Sequence, residues 1–192
     1  VDGGDKGDEY NYCVPETETV VDRPSSPPKI RVETPAPGVQ QLIIESTYAL
    51  PAGLAADRMS RSGTATVSER IVSTVTLTDG VPRVDVRTVV FNAAEDHRLR
   101  VHFPSGLKTA VSKADQHFGI VQRPIALPKW DPATWMEEPL GTYPQKAFVS
   151  VDDGAFGLTI ANRGLPEYEV LDPDGQGAAG GAEIALTLLR CV

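Results

Sequence analysis

Residues 64–80 read TATVSERIVSTVTLTDG, and residues 83–92 read RVDVRTVVFN. In the first run Ala65, Val67, Ile71, Val75 and Leu77 share one parity, while Thr64, Thr66, Ser68, Arg70, Thr74 and Thr76 share the other. Successive side chains of a strand point to opposite faces, so this pattern predicts a strand with one apolar and one wet face. Asp79-Gly80 supplies a turn, because glycine adopts positive φ without a Cβ penalty and an Asp-Gly pair between strand-like runs marks a hairpin. Val84, Val86 and Val90 then line one face of the return strand. The two runs predict a long antiparallel hairpin.

Outward from the hairpin the chain keeps the same grammar. Ile30 and Val32, then Val39, Leu42, Ile44 and Tyr48, lie between β-branched and polar neighbours and are bounded by Pro35, Pro37 and Pro51. Further strands are expected over 98–103, 107–111, 118–122, 146–151, 156–161, 168–171 and 184–191. Turn clusters at residues 104–106 and 152–154 separate them. Helix signals are weak: Asp131 is a possible cap for one turn over Pro132 to Glu138, and Pro139 ends it. Many short strands with regular turns predict an all-β antiparallel sandwich. Residues 1–28 read as an acidic segment and proline-rich linker, since Pro24, Pro27 and Pro28 cannot donate to a sheet ladder. Residues 29–192 read as the sandwich, with a flexible glycine-rich loop over 175–181.

Composition limits what such a chain does. Its 192 residues, 41% of them hydrophobic, suffice for a packed core. A formal net charge of −8 argues against nucleic acid and anionic membranes, whose affinity comes largely from lysine and arginine. No apolar run approaches the length of a spanning helix. The start at Val1, in mid-motif, reads as an excised fragment of a longer protein. Cys13 and Cys191, near the two ends, permit a staple in an oxidising compartment, but so sparse a set reads as reduced, buried thiols.

Four motifs carry more information: residues 162–170, NRGLPEYEV, after the apolar run Phe156 to Ala161; residues 96–100, DHRLR; residues 116–119, QHFG; and the opening residues 2–12, DGGDKGDEYNY. In this order, ending in the strand from Ile184 to Cys191, they resemble the C-terminal β-domain of glycoside hydrolase family 38, the α-mannosidases. The resemblance covers nearly the whole chain. It implies a sandwich of the galactose mutarotase-like supersandwich type.

The residues themselves leave alternatives open. Asp2, Asp5, Asp8 and Glu9 offer hard oxygens to a cation, but their spacing is not that of a calcium loop and a solvated, partly disordered start is the plainer reading. The resemblance adds a third option, in which Asp8, Tyr10 and Tyr12 reach back toward a substrate pocket, Tyr10 bringing a hydroxyl and an apolar ring face. Asn162 and Arg163 at a strand end form a fork of donors that suits sugar hydroxyls or a carboxylate. They equally make a structural turn, with Gly164 supplying permissive backbone and Arg163 pairing with Glu167 or Glu169. Trp130 and Trp135 read as a sugar-stacking platform or as the seal of a domain interface. His97, His102 and His117 lack metal-ligand spacing, and an ordinary carboxylate contact accounts for His97. No nucleophile elbow or phosphate-binding glycine loop is present.

By the resemblance, the parent enzyme hydrolyses α-mannosides with retention, through a carboxylate nucleophile and a second carboxylic acid, generally about 5 Å apart. Those groups, and the zinc or other divalent metal that orients the sugar, belong to an N-terminal catalytic barrel absent here. No catalytic residue and no cofactor is therefore assigned to this domain, which is expected to be inactive alone. Its implied partners are the catalytic barrel and helical domains of the same parent chain, an α-mannoside at the pocket rim, and a second copy in a homo-oligomer. A cytoplasmic location is implied by the bacterial-type members. The alternatives are a self-standing carbohydrate-binding module, using Trp130, Trp135 and Tyr143, and a purely structural sandwich.

Overall fold

The computed structural model describes residues 1–8, 10–61, 65–172 and 181–191. These contain strands, turns and no helix, with the strands in three antiparallel sheets. They divide into two compact units, Val1–Arg98 with Arg190–Val192, and Leu99–Leu189.

In the first unit β1 is Asp2–Gly4, and β2 (Lys29–Ala36), β3 (Val39–Pro51), β4 (Thr66–Thr78) and β5 (Val84–Phe91) form one sheet in the order β2-β3-β4-β5. The expected hairpin is β4–β5, with Val75 opposite Val86 and Ile71 opposite Val90. Its turn is closed by the Val81 amide donating to the Thr78 carbonyl at 3.1 Å, and Gly80 has φ +72°. A Cβ at Gly80 would meet nothing within 4 Å, so the backbone angle and not crowding requires glycine there. Thr64, at the start of the expected strand, lies outside the described residues.

The second unit stacks two sheets. One contains β7 (Val111–Gln116), β8 (Gly119–Pro124), β10 (Phe148–Asp152) and β11 (Gly157–Ala161) in the order β11-β10-β7-β8. The other runs β6-β13-β12-β9, from β6 (His97–Pro104), β9 (Thr142–Pro144), β12 (Glu167–Leu171) and β13 (Glu183–Cys191). The first two residues of β6 and the last two of β13 belong to the first unit. Val149 and Val151 alternate inward from β10, and Tyr168 and Val170 do so from β12. They meet Ala114, Ala182, Ile184 and Leu186 in one buried cluster. Two facing sheets filled from alternate positions are the sandwich that the sequence predicts.

Several local expectations differ from the structure. Leu107 to Val111 is not a strand: Leu107 packs on the sandwich core, and its carbonyl accepts the Ala182 amide at 2.8 Å, so the ladder begins only at Val111. Strands β1 and β9 were not expected; three residues are too few for a period to show. Pro132 to Glu138 forms no helix. Asp131 instead closes turns, its carboxylate accepting the Ala133 amide and its carbonyl those of Thr134 and Trp135. The thiols are free, but Cys13 is exposed and Cys191 half-buried, so neither is the buried thiol expected. Most of the expected glycine-rich loop, residues 173–180, lies outside the described residues.

Candidate functional site

The first two aspartates of the acidic opening are buried, contrary to a solvated start. Asp5 ties the neck of a loop whose described residues are 6–8 and 10–13. Its Oδ1 accepts the amides of Gly7 at 2.9 Å and Cys13 at 3.1 Å, and its Oδ2 accepts Arg190 Nε at 2.7 Å. The Lys6 amide donates to the Cys13 carbonyl at 2.8 Å, and Arg190 Nη2 to the Asp8 carbonyl at 2.9 Å. A Cβ on Gly7 would lie 1.9 Å from the Asn11 carbonyl oxygen, so the loop closes only over glycine. Asp8 caps the tip, accepting the Tyr10 and Asn11 amides, each at 2.8 Å. Those amides hold its carboxyl below the usual aspartate range. Arg98 stacks its guanidinium 3.4 Å over the Tyr12 ring, while Tyr10 stands 83% exposed at the tip. An exposed aromatic on a loop so firmly held is suited to contact, since little further ordering is required on binding.

The first unit also encloses a polar hub. Arg61, fully buried, meets Asp2 Oδ1 at 2.7 Å and donates to the Thr19 carbonyl at 3.0 Å. His97 Nδ1 lies 2.6 Å from Asp2 Oδ2, and its Nε2 lies 3.0 Å from Asn92 Oδ1. The carboxylate contact expected for His97 is therefore real, but with Asp2 and not the neighbouring Asp96. Asp96 instead bonds Arg58 Nη1 at 2.9 Å. Glu69 completes the hub, buried on β4. Burial pushes its carboxyl above the usual glutamate value; Asp2 adds to the shift, while His97, the Ala93 amide and Arg61 oppose it. Glu69 and Arg61 escaped the sequence reading as site-forming residues. The one available signal was Glu69 itself, a carboxylate on the apolar parity of the deciding strand, between Val67 and Ile71.

Asn162 and Arg163 lie in the second unit. Asn162 Oδ1 accepts the Leu165 amide at 3.1 Å and its own amide donates to the Ala147 carbonyl at 2.8 Å, while Gly164 takes φ +79°. The motif is thus built as a capped turn. Glu167 accepts Thr187 Oγ1 at 2.6 Å and Glu169 accepts Arg100 Nη1 at 2.5 Å, so the expected pairing with Arg163 is replaced. Among the described residues Arg163 makes no hydrogen bond or ion pair, and its guanidinium is presented to solvent. Trp130 Nε1 donates to the Trp135 carbonyl at 3.2 Å, and both residues are exposed.

Two of the three histidines are engaged by carboxylates. His102 Nδ1 is taken by Glu183 at 2.5 Å, and His97 is held as above. Among the described residues no group of three or more His, Cys, Asp or Glu is placed to hold a metal.

Over residues 2–192 the chain matches the family described as Glycosyl hydrolases family 38 C-terminal domain. It is similar to the crystal structure of an α-mannosidase from Enterococcus faecalis V583, at 32% identity and TM-score 0.85, covering 100% of this chain and 22% of that one. A second solved structure, a family 38 glycosyl hydrolase protein from Enterococcus faecalis, gives 31% identity and TM-score 0.81 over 100% and 22% of the two chains. A curated protein of Halalkalibacterium halodurans with the provisional name mannosylglycerate hydrolase is 36% identical over 119 residues, 62% of this chain and 12% of that protein. The chain thus spans about a fifth of the solved relatives and about an eighth of the curated one.

Proposed function

Because this chain belongs to the family 38 glycosyl hydrolase C-terminal domains, we propose that it is the β-sandwich part of a larger retaining α-mannosidase, inactive alone. The observation that carries the reading is full-length similarity to an α-mannosidase whose chain is several times longer. In this reading the nucleophile, the acid and a zinc or other divalent ion lie in the remaining parts of the parent polypeptide. The domain contributes position: Tyr10 at the tip of the Asp5-tied loop, and Arg163 at the turn capped by Asn162, are its rim groups toward substrate. Asp8 acts there by shaping the loop under Tyr10 and not by proton transfer. Residues 1–28 carry the rim loop, and residues 29–192 the bulk of the scaffold. Carbohydrate binding, a role in mannose metabolism, a cytoplasmic location and a homo-oligomeric parent are parts of the same proposal.

The test is hydrolysis by the full-length polypeptide, with an aryl α-mannoside and mannosylglycerate offered separately, each with and without a chelator. Chelator-sensitive release of mannose from either supports the proposal, and the faster arm names the substrate class. No hydrolysis of any α-mannoside would leave a self-standing carbohydrate-binding module as the better reading, checked by titrating mannose against Trp130 and Trp135 fluorescence.

A further inference from the structure

The register of the β2-β3-β4-β5 sheet sorts its side chains into two unlike faces. Residues directly opposite one another share a face. One face carries Lys29, Arg31, Glu33, Glu45, Arg70, Asp85 and Arg87, several of them ion-paired: Arg70 with Glu45 at 3.0 Å, Arg31 with Glu33 at 2.8 Å. Charge dominates that face, although Ile43, Val72, Val89 and Phe91 also lie on it and Ile43 is buried. The other face is crossed by Val32, Leu42, Val75 and Val86 in one row, by Ile30, Ile44, Ser73 and Thr88 in the next, and by Gln40, Leu77 and Val84 beyond. Those three rows bear no charge. Along the same face, at the other end of β3 and β4, Leu50 and Glu69 are buried within the first unit. Toward the hairpin end the cover stops, leaving Ile30, Val32, Leu77, Val84 and Val86 between 53% and 68% exposed.

From these rows we infer that the uncovered apolar face of β2–β5 is a docking surface for another domain of the same parent polypeptide, one presenting an equally apolar, uncharged face. The inference rests on the proposed membership in a longer enzyme. Size selects this occupant over a second copy. Four strands and three to four rows span roughly 20 Å by 20 Å, on the order of 400 Å² in projection. A stable dimer needs about 800 Å² from each partner, whereas domains within a chain meet through interfaces of about 600–1,500 Å² in total. A tethered partner also acts at a high effective concentration, so a small face suffices. Chemistry points the same way, since a charged partner would lose its hydration against a face with no counter-charge.

Hydroxyl-radical footprinting of the full-length polypeptide tests this, read at Ile30, Val32, Leu77, Val84 and Val86 at high and low protein concentration. Docking predicts labelling several-fold below that of free side chains, independent of concentration, and a several-fold rise at Ile30 and Val32 in Val86→Lys but not in Val86→Ala. Labelling at the free rate would overturn the inference. So would protection that appears only at high concentration, which would mean that a second copy covers the face. Mannoside hydrolysis by the same preparation separates the two claims: a protected face in an inactive protein removes the enzymatic reading and leaves the docking surface standing.

Discussion

The two units are organised by opposite means. The second closes on an apolar cluster, with Val149, Val151, Tyr168, Ile184 and Leu186 from two facing sheets and Tyr168 sending its hydroxyl to Ser112 at 3.1 Å. The first encloses Asp2, Asp5, Arg61, Glu69 and His97. An apolar core stabilises by area removed from water and tolerates substitutions that conserve volume. A buried ionic hub adds little net stability, because desolvation offsets the attraction, but losing one partner strands a charge. The first arrangement suits a scaffold. The second fixes one geometry.

The sharpest way to break this contrast is to remove one charge from the hub. Arg61→Ala leaves Asp2 buried without its guanidinium partner and is expected to cost about 3–5 kcal/mol in a denaturant titration. A loss below about 1 kcal/mol would mean the hub is wet and not distinct from surface ion pairs. In the sandwich, Ile184→Ala should cost about 2–5 kcal/mol, whereas Ile184→Val should cost only about 0.5–1.5 kcal/mol. If the conservative change cost as much, the core would be held by shape as rigidly as the hub.

A smaller effect sharpens the comparison through pH. The carboxyl of Glu69 is raised from its usual value of 4.5. A raised acid binds its proton more tightly folded than unfolded, so its contribution is complete below pH 4.5 and is lost as pH rises through the raised value. Glu69→Gln should flatten that decline, read from denaturation midpoints across the range, and an unchanged slope would show that Glu69 does not carry it.

What the sequence disclosed follows from the same contrast. The β4–β5 hairpin and the strands β10 to β13 were legible because two-residue alternation and turn glycines are local signals. The hub was not, because its pairs join residues remote in sequence, such as Asp2 with His97 and Asp5 with Arg190, and nothing near Asp2 announces burial. The strand at Val111–Gln116 was misplaced because Leu107 is apolar for a packing reason that is not a ladder. Of the site candidates, Asp8 and Asn162 were recognisable as unusual, but as turn caps their carboxylate and amide serve their own backbone.

The most direct test of the account is kcat/KM for an α-mannoside in the full-length polypeptide, comparing Tyr10→Phe and Arg190→Lys with the unmodified protein. A hydrogen bond from the Tyr10 hydroxyl is worth about 1 kcal/mol, so roughly a fivefold loss is expected in Tyr10→Phe, with unfolding unchanged. Arg190→Lys, which loosens the loop neck without touching substrate, should lower kcat/KM in the same direction. Full activity in both variants would contradict the proposal that the loop tied by Asp5 and Arg190 presents Tyr10 to substrate.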